Sequence, residues 1–196
     1  MTDPAKPVSR PRWSYTRLSV RGLMVLVLMI AAWLGWIIHS ARVQCRAVAA
    51  LEQAGGSVKY DWEWKDGYPI PDSHPWAPEW LVARLGVDFV GNVVFVAFYG
   101  RASDAELHYV GQLRGLEALD LTGCPVTDPG LVQLAGLTSL EGLDLTLTAV
   151  SDARLGYVEG LTQLQSLWLS GTAVTDNGLG SVWHSSNVQW SGDLRP

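Results

Sequence analysis

The chain has 196 residues, a formal net charge of −5 and two cysteines. The charge is unevenly distributed: residues 1–21 carry five Lys and Arg against one Asp, whereas residues 39–196 carry nine against eighteen Asp and Glu. This acidic body argues against nucleic-acid binding, and two cysteines exclude a scaffold of several disulfides.

A basic arm, residues 1–21, precedes an uncharged apolar run of seventeen residues, 22–38. A bilayer core of ~30 Å requires ~17–25 residues of helix, so we expect a single transmembrane helix at residues 22–39. Because basic residues favour the cytoplasmic side, the amino terminus is expected in the cytoplasm and the repeat domain outside it. Contact with nucleic acid is an alternative role for the arm.

A cleaved signal peptide is the main alternative for the apolar segment. It requires small residues soon after the apolar run. Ala47-Val48-Ala49 has that pattern but lies well beyond Ile38, so an uncleaved anchor is favoured. A buried helix of a soluble protein is disfavoured by the arginines that flank the run.

Residues 40–88 are expected to form a stalk helix and an amino-terminal cap. Helical spacing continues to residue 54, and this helix either rises from the membrane or folds back onto the repeats. Residues 57–64 alternate and predict one strand. A turn at Lys65-Asp66-Gly67, a proline-rich loop and a short helix from Pro78 to Leu85, closed by Gly86, complete the cap.

Residues 113–184 contain three consecutive copies of one 24-residue pattern. The copies read LRGLEALDLTGCPVTDPGLVQLAG, LTSLEGLDLTLTAVSDARLGYVEG and LTQLQSLWLSGTAVTDNGLGSVWH. In the first copy Leu119 and Leu121 alternate with polar residues, which predicts a short strand with one buried face. Asp128 is expected as a helix N-cap with Pro129 as the first helical residue. Asp152 and Asp176 repeat this cap.

The same positions carry a family resemblance. Leu116, Leu119, Leu121 and Cys124 follow the signature L-x-x-L-x-L-x-x-N/C-x-L, and so resemble the leucine-rich repeat family. Thr148 and Thr172 replace the cysteine in the next copies. The resemblance implies an α/β solenoid with parallel strands on a concave face and short helices on a convex face. With the segment before it, the chain resembles membrane-tethered bacterial members of the family.

Residues 89–112 are interpreted as a degenerate first repeat, shifted by 24. In this alignment Phe95 replaces Leu119 and Ala97 replaces Leu121, while Ser103-Asp104 keeps the cap. Four repeats are thus predicted, at residues 89–112, 113–136, 137–160 and 161–184. Residues 185–196 depart from the pattern and are expected to close the far end, with Trp183 as a lid.

Side chains between the inward leucines should form a partner-binding surface on the concave face. Asp120 and Asp144 should lie directly across from each other. The alternative is that flanking loops cover this face. The predicted contact residues are Val96, Phe98, Asp120, Thr122, Asp144, Thr146, Trp168 and Ser170.

The paired carboxylates could share a proton, bind a cation or meet a basic partner group. Paired carboxylates also occur in hydrolases, but no third catalytic group accompanies these two. The four histidines lack metal-ligand spacing, and no phosphate loop or serine elbow occurs. We therefore expect no catalytic residue, no cofactor and no metal. Capping explains the recurrent aspartates better than a calcium ladder does.

The sequence thus predicts a membrane-anchored, non-catalytic module that binds an unidentified protein partner and not nucleic acid. One alternative is a structural envelope protein that associates with itself through the solenoid ends. Another is a secreted binding module, released by signal cleavage. An enzyme is the least favoured alternative. Proteins with this repeat architecture bind many different partners, so the residues of this sequence do not identify the partner.

Overall fold

Residues 20–65, 68–182 and 189–191 are described by a computed structural model of the chain. The chain divides into two units, Met1–Trp36 and Ile37–Pro196. Several predicted features lie outside the described residues. They are the basic arm up to residue 19, Asp66-Gly67 of the expected turn, the Trp183 lid and most of residues 185–196.

The first unit is helical in its described part. Helix α1, Val20–Gln53, begins here, and residues 21–36 all expose their side chains. Among the described residues, α1 is the one helix long and apolar enough to cross a membrane, and none of its apolar window is buried. A signal sequence near an amino terminus has the same length and composition. Membrane crossing therefore stays a prediction.

The second unit combines short strands with short helices. Its strands are β1 Ser57–Tyr60, β2 Trp64–Lys65, β3 Tyr68–Pro69, β4 Val93–Ala97, β5 Ala118–Asp120, β6 Gly142–Asp144, β7 Ser166–Trp168 and β8 Gln189–Ser191. Its further helices are α2 Glu79–Leu85, α3 Asp104–Val110, α4 Asp128–Leu131, α5 Asp152–Leu155 and α6 Asp176–Val182. Single 3-10 turns follow α2, α4 and α5 at Val87–Phe89, Val132–Leu134 and Gly156–Gly160.

One sheet organises this unit, with strand order β1-β4-β5-β6-β7-β8. Strands β4 to β8 pair in parallel, and β1 pairs antiparallel with β4. Strand β1 thus covers the edge that the first repeat would otherwise expose. The expected α/β architecture with a parallel sheet is confirmed.

The recurrent leucines form a continuous core. Leu119 pairs with Leu143, and Leu143 with Leu167, so that the three stack in one buried row. No repeat could bury these side chains alone, which is why neighbouring repeats must stack. The other buried repeat leucines are Leu113, Leu116, Leu121, Leu131, Leu134, Leu137, Leu140, Leu145, Leu155, Leu161, Leu164 and Leu169.

The second half of α1 belongs to this core. Ala47, Val48 and Leu51 are buried in the same cluster as the repeat leucines. This part of α1 packs against the repeats. The helix ends at Gln53, and Gly55, two residues later, adopts a φ of 82°. That left-handed conformation suits a glycine at a helix end.

The sequence predicted the recurrent aspartates as helix N-caps, and this prediction is wrong. Thr127 is the N-cap of α4 and Ser151 that of α5, so each Asp is already inside its helix. The Asp128 carboxylate instead accepts from the N–H and the hydroxyl of Ser151, in the next repeat. Thr127 donates in the same way to Asp104, and Thr175 to Asp152. The aspartates therefore tie successive repeats together.

The first repeat is offset by one residue from the predicted alignment. Val96, not Phe95, pairs with Leu119, so the strand shift is 23 residues rather than 24. A one-residue slip moves every side chain to the other face of a strand. Val96 and Phe98 are consequently fully buried, and their prediction as exposed binding residues is wrong. Phe95 faces outward in their place.

The two ends of the sheet also differ from expectation. Strand β1 ends at Tyr60, because the chain turns at residues 61–63, where the Glu63 N–H donates to the Tyr60 carbonyl oxygen over 2.8 Å. The predicted strand through Trp64 is therefore divided. At the other end β8 adds a fifth parallel strand, with Trp190 paired to Leu167. The expected break in the repeat pattern thus contains one further strand.

Buried polar residues occupy the position of Cys124 in later repeats. Cys124 is buried, as expected of a small core residue. The hydroxyl of Thr148 donates to the Leu145 carbonyl oxygen over 2.7 Å, and that of Thr172 to the Leu169 carbonyl oxygen over 2.8 Å. Both threonines are therefore satisfied inside the core.

Candidate functional site

A groove of about 780 Å³ lies along the outward face of the sheet; we call it the strand groove. It runs across β4 to β7 and is bordered by the segment that follows β1. Its lining residues are Asp61, Trp64, Lys65, Val94, Phe95, Glu117, Ala118, Leu119, Asp120, Glu141, Gly142, Asp144, Gln165, Ser166 and Trp168.

Small residues form the floor of the strand groove. Ala118, Gly142 and Ser166 pair in one row across β5, β6 and β7. A Cβ added to Gly142 would lie 3.8 Å from the Trp168 ring, so the indole extends over the neighbouring strand. Trp168 keeps 39% of its surface exposed. The missing side chain at Gly142 thus makes room for an aromatic ring that still faces solvent.

Asp120 and Asp144 form the central acidic pair of the groove. They are direct partners across β5 and β6, where parallel strands are about 4.8 Å apart. Oδ1 of Asp120 accepts from the Thr122 N–H over 2.9 Å, and Oδ1 of Asp144 from the Thr146 N–H over 2.8 Å. These bonds fix the two carboxylates at the strand ends. No hydrogen bond to either Oδ2 occurs among the described residues.

An aromatic wall closes the groove at β4. The rings of Trp64 and Phe95 stack with centroids 4.2 Å apart and planes 19° apart. Trp64 is carried by the β2–β3 hairpin, which lies outside the main sheet. Next to it Tyr60 and Trp62 stack at 4.8 Å, and the Trp62 ring occupies the space that a Cβ on Gly91 would need.

Acidic residues dominate the groove. Five carboxylates line it, against the single ammonium group of Lys65. Glu117 and Glu141 stand one position before their strands, at the same place in successive repeats. Glu141 is exposed, whereas the paired aspartates are half-buried. The groove therefore presents negative charge between an aromatic wall and the Trp168 ring.

The predicted contact residues fall into three groups. Asp120, Asp144 and Trp168 line the groove. Thr122, Thr146 and Ser170 are half-buried beyond the strand ends and do not line it. Val96 and Phe98 are in the core, as described above.

Sequence reasoning missed several lining residues. Glu117, Glu141 and Gln165 recur every 24 residues, and this period was a usable signal. Trp64 and Phe95 had no such signal, because their contact joins the cap to the first repeat. Among the described residues, no group of three or more His, Cys, Asp or Glu side chains is placed to hold a metal ion.

Comparison with solved structures gives weak likenesses to two proteins of Listeria monocytogenes. Internalin C2 matches with 20% sequence identity and a TM-score of 0.38, over 76% of this chain and 63% of that one. A second internalin, inlF, matches with 18% identity and a TM-score of 0.32, over 45% of this chain and 33% of that one. The chain thus spans less than two thirds of either protein. No curated protein sequence gives a significant match.

A family model gives a direct match within the repeats. Residues 113–135 match the model described as Leucine Rich repeat. This segment is the first of the three copies in the sequence, and it contains β5 and α4. The 24-residue pattern, the buried leucine rows and the parallel ladder extend the same unit beyond the matched residues. Residues 113–135 are therefore similar to a leucine-rich repeat, and the same pattern of leucines recurs in the two copies that follow.

Proposed function

We propose that the protein is a membrane-anchored interaction module that binds another protein through the strand groove. The observation that carries this proposal is the outward row formed by Asp120, Asp144 and Trp168 over a floor of small side chains. Such a row provides a charged and an aromatic contact on one rigid surface. Rigid surfaces lose little conformational entropy on binding.

The chemistry of the groove favours a segment with basic side chains. Tryptophan and other aromatic residues are frequent anchors of protein interfaces. The carboxylates between the aromatic groups would pair with Lys or Arg of the partner and accelerate its association. The acidic character of the whole second unit acts in the same direction.

A non-catalytic role is part of this proposal. Hydrolases that use two carboxylates place them on either side of a scissile bond. Here Asp120 and Asp144 are neighbours on one sheet face, and each is held by a backbone N–H. No histidine that could act as a general base accompanies them among the lining residues of the groove. The pair is therefore better suited to binding than to catalysis.

Membrane anchorage by residues 22–39 supports the same role, because it would fix the location of the module. Residues 23–34 expose apolar side chains that water does not favour. The preceding basic arm predicts a cytoplasmic amino terminus. An amino-terminal tag that stays on the mature, membrane-bound chain is the expected result. Loss of the tag would favour the secreted alternative.

Charge reversal in the groove tests the binding proposal. Asp144→Lys places a positive charge beside Asp120 and should weaken capture of a partner about ten-fold or more. The matched control is Glu159→Lys, which makes the same charge change at an exposed residue of the 3-10 turn after α5. Both full-length variants should be compared with the wild type by quantitative affinity capture. Equal capture by all three would remove the strand groove from the proposal.

A further inference from the structure

A second exposed surface occurs in the cap, between β3 and the first repeat. Tyr68, Trp76 and Trp80 expose 75%, 77% and 67% of their surfaces. Helix α2, which contains Trp80, has no buried residue at all. A soluble domain rarely exposes several large aromatic side chains within one short segment without a partner. We call residues 68–85 the aromatic cap segment.

Hydrogen bonds locate Trp76 of this segment near Gln44 of α1. The Gln44 side chain donates to the Gly91 carbonyl oxygen over 2.8 Å. The Trp76 indole N–H donates to the Val90 carbonyl oxygen over 2.7 Å. Trp76 is thus joined, through the backbone at residues 90–91, to a point on α1 only six residues beyond Ile38. Six helical residues span about 9 Å.

Helix α2 lies in the same neighbourhood. It packs against the 3-10 turn Val87–Phe89. The Asp88 carboxylate in that turn accepts from the Tyr60 hydroxyl over 3.0 Å and lies 3.4 Å from the Gln44 amide nitrogen. Trp76 and α2 therefore lie near Gln44, beside the start of β4.

Other contacts locate the carboxyl end of α1 beside the end of β4. A Cβ on Gly56 would lie 2.9 Å from the Phe98 ring, and one on Gly55 would lie 2.9 Å from the Arg101 side chain. Helix α1 thus passes from the start of β4 to its end. From Ile38 to Gln53 this path is about 22 Å of helix. Tyr99, with 68% of its surface exposed, lies at this far end.

We infer that the aromatic cap segment rests in the headgroup region of the bilayer that residues 22–39 cross, with Trp76 and Trp80 as the inserted side chains. Tryptophan and tyrosine favour this region because their rings are apolar and their polar atoms remain hydrated or bonded. The headgroup layers extend a bilayer from ~30 Å to ~40–45 Å, so a surface close to Ile38 lies within reach. The inference rests on the proposed membrane anchorage.

The charge of this surface indicates which kind of lipid is sufficient for binding. Arg42, Arg46 and Arg84 are exposed at this end, together with Asp72 and Glu79. Mixed charge of this kind gives no strong preference for anionic lipid. A zwitterionic bilayer should therefore bind the segment, and the aromatic rings should supply most of the attraction.

The test uses the full chain in phosphatidylcholine nanodiscs and follows amide hydrogen exchange in α2. In these nanodiscs, the α2 amides of the wild type should exchange about ten-fold more slowly than those of the Trp80→Ser variant. Trp80 is chosen because Trp76 also has a structural bond to Val90. The control is Tyr99→Ser, which removes an equally exposed ring from the far end and should leave the exchange of α2 unchanged. Lipid brominated near the headgroup should quench wild-type fluorescence more than that of Trp80→Ser.

Each other outcome overturns a defined claim. Equal exchange and equal quenching in wild type and Trp80→Ser, with the chain held in the nanodisc, would overturn the inference and leave the anchor intact. Protection that requires two chains in one nanodisc would show that a second copy covers the segment, and would also overturn it. A chain recovered outside the nanodiscs would overturn the anchor and the inference together.

Discussion

The Asp128 carboxylate accepts two hydrogen bonds from Ser151, one from its N–H over 2.8 Å and one from its hydroxyl over 2.6 Å. Ser151 lies 23 residues further along the chain and is the N-cap of the next helix. The same carboxylate-to-cap contact joins the neighbouring pairs of repeats. A single recurring spacing therefore joins the helices to one another, while the leucines form the core.

The first prediction concerns this contact. Asp128→Ala should lower the free energy of unfolding by about 2 kcal/mol, because it removes a charged acceptor from two donors. Asp176→Ala is the matched control: Asp176 begins α6 in the same place, is exposed, and accepts no such bond among the described residues. Urea denaturation of both variants measures the difference. Similar losses would show that helix position, not the contact, determines stability.

The second prediction concerns the core. Leu143→Ala should lower the free energy of unfolding by about 2–5 kcal/mol, because Leu143 is fully buried between Leu119 and Leu167. Leu147→Ala removes the same atoms from a side chain that is 65% exposed, and should have a much smaller effect. Thermal unfolding of the two variants compares them. A larger loss of stability for Leu147→Ala than for Leu143→Ala would contradict the placement of Leu143 in the core.

The third prediction concerns backbone strain after β6. Leu147 has a φ of 58°, at the position where Gly123 and Gly171 stand in the flanking repeats. A left-handed conformation costs a non-glycine residue about 1–2 kcal/mol, which glycine would avoid. Part of this gain in stability is lost because glycine makes the unfolded chain more flexible. Leu147→Gly should therefore be neutral or stabilising by up to about 1 kcal/mol. Clear destabilisation would indicate that the exposed leucine side chain makes a contact that stabilises the fold.

Gly171→Ala makes the opposite change at the next repeat and should destabilise the protein. The φ of Gly171 is 70°, and a Cβ there would lie 2.6 Å from the Leu147 Cδ2 atom. Strain and close contact therefore act together at this position. The double variant with Leu147→Gly removes the contact and should recover part of the loss. Denaturation of the single and double variants separates the two causes.

The fourth prediction concerns pH. Hydrogen bonds from the Ser103 hydroxyl and backbone N–H lower the pKa of Glu106 below its ordinary value of 4.5. A lowered folded-state pKa means that this stabilisation is present above pH 4.5 and is lost as the pH falls through the folded value. The stability difference between wild type and Glu106→Gln should thus be larger at neutral pH than in acid. Ser103→Ala should reduce the pH dependence, as followed by denaturation at several pH values.

The one-residue offset of the first repeat shows what the sequence could and could not provide. Leucine periodicity was sufficient for the three regular copies. In the degenerate repeat the informative residue was Gly100, whose φ of 82° matches the left-handed Gly123. Aligning those two glycines gives the shift of 23 residues that the strands have. The corner between Gly100 and the cap at Ser103 is one residue shorter than in the next repeat, so strand and helix follow different shifts.

The aromatic wall of the strand groove lay beyond sequence reasoning for a different reason. Trp64 reaches Phe95 only because the chain turns after Tyr60 and returns as the β2–β3 hairpin. Alternation had predicted a straight strand through Trp64. By contrast, Asp120 and Asp144 could be placed because repeats of equal length put equal positions side by side. Local periodicity thus predicts contacts between repeats, but not contacts between the cap and the repeats.

The fifth prediction concerns the aromatic contact in the groove. Trp168→Ala should weaken binding of a captured partner by about ten-fold or more, as expected for a tryptophan anchor. Gln165→Ala, also in the groove but polar and exposed, should change affinity much less. Titration of the purified partner against both variants measures the effect. If the two losses are equal, the ring has no special role.

The central claim is that a partner contacts the strand face and not the helices. A photo-crosslinking residue placed at Ser166, on the floor of the strand groove, tests it most directly against one at Gln133, which is exposed in the turn after α4. The account predicts a specific protein adduct at Ser166 that Asp144→Lys abolishes, and none at Gln133. An adduct at Gln133 alone would contradict it.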